Sequence, residues 1–113
     1  MLNQKEKFLY YMPNMRQNIM KLIKQQKKLG SCICLIPISR LYSKEGYLKF
    51  LLVDADHDYE RYAIQQSGIK EWLNHNGYRL EMIETRKALV KVGQKIVSIG
   101  EWQHSKLYLK ISW

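Results

Sequence analysis

Apolar positions at helical spacing come first along the chain. Met15, Ile19, Leu22 and Ile23 fall at i, i+4, i+7 and i+8, one buried stripe of a helix spanning residues 14 to 29. Pro13 suits a first-turn position and Gly30 the C-terminal cap. Residues 3 to 12 add room for a short leading helix with Phe8 and Leu9 inward. The pattern then changes. Ser31-Cys-Ile-Cys-Leu-Ile-Pro-Ile38 is nearly all apolar, which predicts a strand buried on both faces. Pro37 places the far end of that strand at an edge or bulge. Ser43 to Gly46 reads as a turn, and Tyr47 to Val53 as the hairpin partner of the first strand.

A second helix is predicted from about residue 58 to 76, capped by Asp56 or Asp58, with Glu60 complementing the helix dipole. Tyr62, Ile69, Trp72 and Leu73 make its inner stripe, Gly68 weakens it midway, and Asn76-Gly77 ends it. The remainder has strand character. Tyr78 to Glu84 is one strand, and Ala88 to Val92 pairs with Ile96 to Ile99 around a Gly93-Gln94 turn. From Lys106 to Trp113 the chain alternates, with Leu107, Leu109, Ile111 and Trp113 on one face and Lys106, Tyr108, Lys110 and Ser112 on the other. The pattern predicts a single α+β domain over residues 1 to 113. Its antiparallel sheet has four to six strands, with an N-terminal cationic helix and a second helix packed on one face.

Composition supports one packed domain: 113 residues, 46% hydrophobic, with three Trp, eight Tyr and two Phe to anchor a core. The apolar runs are far shorter than the ~20 residues that span a bilayer, and Phe8 to Met12 is too short for a signal h-region. Cys32 and Cys34 are one residue apart, an awkward spacing for a disulfide, so a reducing, cytoplasmic setting is expected.

Charge changes the picture most. The net charge is +9, and residues 1 to 30 hold seven bases (Lys5, Lys7, Arg16, Lys21, Lys24, Lys27, Lys28) against the single acid Glu6. On the predicted helix Arg16, Lys21, Lys24, Lys27 and Lys28 gather away from the apolar stripe. Such a face can track a phosphate backbone and release its counterions, or it can simply keep a helix solvated. Its stripe lacks the Trp and Phe of a membrane-surface helix. A second candidate surface is Lys106, Tyr108 and Lys110, where a Tyr ring can stack an unpaired base between cations.

Catalytic and metal signals are weaker. Asp54, Asp56, Asp58 and Glu60 resemble the start of a calcium loop, but the Gly and closing Glu of that loop are missing. The acids are explained by a helix N-terminus. A metal nuclease would place an acid and a Lys two apart after Asp54, and Glu84-Thr-Arg-Lys87 misses that spacing. Glu81 or Glu84, Arg86 and His104 could furnish a base, a cation and an acid for a metal-free ribonuclease. A helical part before a strand-rich part is also the layout of small bacterial ribonuclease toxins, without any shared residue motif. Cys32 and Cys34 with His57 or His104 lack zinc spacing and read as core thiols, and His75 reads as a helix cap.

These observations imply a small non-catalytic nucleic-acid-binding protein, with no cofactor and no metal. Its phosphate contacts would be Arg16, Lys21, Lys24, Lys27 and Lys28, with Lys106, Tyr108 and Lys110 as a second surface. The alternatives are a protein-binding inhibitor or accessory factor that docks on an acidic surface of a nucleic-acid enzyme, and a metal-independent ribonuclease toxin.

Overall fold

Met15, Ile19 and Ile23 close helix α1 (Met15–Lys28) onto the sheet, as their spacing requires. A computed structural model describes residues 10–50 and 57–113, with only the backbone described for 48–50. The expected leading helix over residues 3 to 12 therefore falls largely outside the described residues, as do Asp54 and Asp56. At the end of α1, Gly30 takes a φ of +74°, and Ser31 N–H donates back to the Gln26 carbonyl.

After α1 come strand β1 (Ile33–Pro37), a 3-10 turn (Ile38–Leu41), helix α2 (Lys44–Phe50), helix α3 (His57–Gln66) and helix α4 (Ile69–His75). Two long strands finish the chain, β2 (Arg79–Val92) and β3 (Lys95–Ser112). The architecture is α+β, with helices against one face of an antiparallel sheet of order β1-β3-β2. Cys34, Ile36, Leu80, Leu107, Leu109 and Ile111 supply the sheet side of the core, and Ile19, Ile23, Ile64, Ile69 and Leu73 the helix side. Each such side chain contributes about 1.5–3 kcal/mol by leaving water.

The sheet has three strands among the described residues, fewer than the four to six expected. Two causes account for the difference. First, Tyr47 lies in α2 and not in a strand. The Ser43 hydroxyl accepts the Gly46 N–H at 3.1 Å, an N-cap that starts a helix where a turn was expected. Residues 51 to 53 of the expected strand lie outside the described residues. The partner of β1 is β3, with Cys34 opposite Ile111 and Ile36 opposite Leu109. Second, the four predicted C-terminal strand segments merge into two continuous strands that meet at the expected Gly93-Gln94 turn, where Val92 pairs with Lys95. The predicted second helix is in turn two, because Gly68 at φ +70° separates α3 from α4.

The β2–β3 hairpin folds back on itself. Arg79, at the start of β2, pairs with Ser112, which also pairs with Ile33. Gln94, beyond the end of β2, reaches the same neighbourhood. Its Oε1 accepts the Cys32 N–H and its Nε2 donates to the Gly30 carbonyl, both at 3.0 Å. A straight strand of this length would carry Gln94 about 45 Å away. Two register shifts mark the bend: between Thr85 and Lys87, where Trp102–Ser105 bulge out opposite Arg86 alone, and between Lys87 and Leu89, where Ile99 and Gly100 stand opposite Ala88.

Candidate functional site

All five bases expected on α1 are exposed. At 100° per residue Arg16, Lys21, Lys24, Lys27 and Lys28 fall within an arc of about 140° on one flank of the helix. Among the described residues, none of the five has a carboxylate oxygen within 4.0 Å. The acids Asp58 and Glu84 pair with Arg61, and Glu81 with Lys110.

Aromatic side chains border this flank at both ends. The Arg16 guanidinium lies over the Trp72 ring, 5.5 Å from its centroid. Lys27 Nζ donates to the Tyr78 hydroxyl at 2.5 Å and stands 4.9 Å and 5.7 Å from the Tyr78 and Trp113 ring centroids. Those two rings meet edge to face at 5.6 Å. Cation–π contacts of this kind contribute about 0.5–1 kcal/mol each at exposed sites. They hold Arg16 and Lys27 in place without removing their charge.

Two open grooves accompany the pairs. One, of about 420 Å³, is lined by Arg16, Gln17, Met20, Lys21, Lys24 and Trp72. The other, of about 440 Å³, lies among Asn74, Gly77, Tyr78, Arg79, Ser112 and Trp113. The first has a floor of indole and thioether under a rim of cations. Trp72 and Tyr78 were not legible as site residues, whereas Trp113, at the end of the alternating strand, could be read as core or as a contact residue. The α4 stripe marked Trp72 as core, and no local pattern ties any of the three to α1.

The second expected surface does not join the first. Lys106 and Lys110 alternate with Leu107, Leu109 and Ile111, so they project from the sheet face opposite α1. Lys110 pairs with Glu81 at 3.8 Å, and Lys106 lies over Trp102 at 5.8 Å. Tyr108 is 2% exposed. Its hydroxyl accepts from Trp102 Nε1 at 2.9 Å and from the Leu89 N–H, and donates to the Lys87 carbonyl. The returning hairpin covers the ring, which leaves no face for a base.

Behind the bulge is a buried polar cluster. Glu60 accepts from the Tyr42 hydroxyl at 2.7 Å through Oε2 and meets His57 Nδ1 at 2.5 Å through Oε1. His57 Nε2 donates to the Ser105 carbonyl at 2.8 Å. That carbonyl can only accept, so the Nδ1–Oε1 contact holds a further proton between imidazole and carboxylate. The Glu60 hydrogen bond raises the His57 pKa against the opposing effect of burial, with the Ser105 bond and the charges of Glu60 and Glu84 adding. Burial, then the Glu60 charge and hydrogen bond, push the Tyr42 phenol up. The cluster ties α3 to the Trp102–Ser105 bulge and to Tyr42 at the end of the 3-10 turn.

Cys34 is buried in the core while Cys32 is exposed. Burial raises the Cys34 thiol to about 11 despite Lys91 nearby, so it is a poor nucleophile. No group of three or more His, Cys, Asp or Glu among the described residues is placed to hold a metal. Glu84 faces Arg61, and Arg86 Nε donates to the Trp102 carbonyl at 3.4 Å, so both have structural partners. No described helix is long and apolar enough to cross a membrane. The chain matches no protein-family model, no curated protein and no solved structure.

Proposed function

We propose that this protein binds nucleic acid through the cationic flank of α1. One observation carries the reading: Arg16, Lys21, Lys24, Lys27 and Lys28 crowd one side of a helix, and no described carboxylate lies within 4.0 Å of them. Concentrating like charge costs stability through self-repulsion, and a polyanion relieves that cost on binding. The phosphate backbone is the polyanion whose regular charge spacing suits a row of bases along a helix.

A salt titration of nucleic-acid affinity tests the reading. With five contacts, log K should fall against log salt with a slope of about −3.5 to −4.5. Replacing Lys21, Lys24 and Lys28 by Gln should flatten the slope by about 2 to 3. Absent or salt-independent binding refutes the proposal.

A second reading rests on the outer hairpin. Val92, Val97 and Ile99 are exposed there, Ile99 at 70%, and Trp102 is exposed in the bulge. Exposed apolar residues on a two-stranded ribbon favour a protein partner. Retention of one stoichiometric protein by the full chain, lost on Ile99→Lys, would support that reading.

A further inference from the structure

The nucleic-acid reading leaves open whether the strand is paired. We propose that the α1 flank and its two grooves form a track for a single, unpaired strand. This inference rests on the nucleic-acid reading and goes beyond it.

The cations alone do not distinguish a duplex from a single strand, but their neighbours do. Trp72 and Met20 floor the first groove, and Arg16 lies over the indole. Tyr78 and Trp113 line the second, with Lys27 over both rings. A duplex offers phosphates and base edges to a protein and keeps its base faces stacked inside. It has nothing flat and apolar to place on Met20 and Trp72. An unpaired strand offers base faces, which stack on indole, phenol or guanidinium planes, while its phosphates meet cations on the rim.

The spacing fits the same ligand. Arg16 and Lys27 are separated by about 16 Å of helix rise, and Lys21 and Lys24 lie between them. The track therefore has a half-buried indole beside a cation at each end, Trp72 with Arg16 and Trp113 with Lys27, and ammonium groups along the middle. Tyr78 is buried and backs Trp113 edge to face. Charge complementarity favours an anionic occupant of the first groove, since Arg16, Lys21 and Lys24 stand exposed around it. Arg79 extends the positive rim at the second groove.

The experiment uses the full chain and two labelled probes, an oligothymidylate of about twenty nucleotides and its duplex with oligoadenylate. Binding is read by anisotropy at about 0.1 M salt, and tryptophan fluorescence is recorded alongside. The single strand should bind at least about tenfold tighter than the duplex and quench the indole emission. Trp72→Leu should weaken single-strand binding about tenfold and leave duplex binding unchanged. Equal or tighter duplex binding overturns the inference and leaves the nucleic-acid reading standing. So does a folded Trp72→Leu protein that binds the single strand as before. Should that variant misfold, the ratio of the two probes on the unaltered chain still decides. Binding to neither probe removes the nucleic-acid reading and this inference together.

Discussion

Glu60 is a carboxylate 1% exposed to solvent, so every lone pair it cannot place costs stability. Tyr42 serves Oε2 and His57 serves Oε1. Tyr42→Phe keeps the ring and removes one donor, and should destabilise the fold by about 1–3 kcal/mol in urea unfolding. His57 makes the cluster sensitive to pH. Its pKa is raised in the folded protein above an unfolded value of about 6.5. The stability it contributes is thus complete below that unfolded value and is lost as pH rises through the higher folded value. Urea midpoints measured from pH 6 to pH 9 should decline across this window. His57→Gln should lower stability on the acid side and remove this decline. A parallel decline in the variant would assign the effect to other groups.

At the scale of elements, the outer hairpin is held by its tip. Gln94 supplies both the acceptor for Cys32 N–H and the donor to the Gly30 carbonyl, so one side chain docks the turn onto the α1–β1 connection. Gln94→Ala should release the tip without disturbing the core. Amide exchange at Ile96 to Ile99 should quicken, while global stability changes by less than about 1 kcal/mol. Unchanged exchange would show that Tyr108 and the bulge alone hold the strand down. The two ends of the β region were readable to different degrees. Gly93-Gln94 carried a turn signal, whereas the bulge at Trp102–Ser105 is held by distant contacts, Ser105 to His57 and Trp102 to Tyr108.

At the scale of the molecule, the sheet separates two groups of cations. The α1 bases lie on the helix side, whereas Lys106 and Lys110 lie on the other face with Glu81 and Trp102. Changing Lys106 and Lys110 together to Gln should alter nucleic-acid affinity by less than about threefold, because both project from the sheet face opposite α1 and Lys110 is already paired with Glu81. The Lys21, Lys24 and Lys28 triple change should be far more damaging. A comparable loss from both sets would mean that the ligand wraps the sheet edge, and affinity measured at one salt concentration is enough to compare them.

The chain by itself determined what depends on near neighbours. The α1 stripe and its glycine stop, the turn at Gly93-Gln94, the inward face of Leu107, Leu109 and Ile111, and the charge excess near the start all follow from local spacing. Ser43 carried the cap of α2 as well, but the β-prone run after it reads as a strand when propensity is weighed alone. Tertiary structure decided what covers each face. Alternation assigned Tyr108 to the side away from the helices, and only the returning hairpin made that side an interior. The same holds for the candidate track. Periodicity placed the cations on one flank of α1, but the company of Trp72, Tyr78 and Trp113 arises from contacts between residues tens of positions apart, which no local pattern encodes.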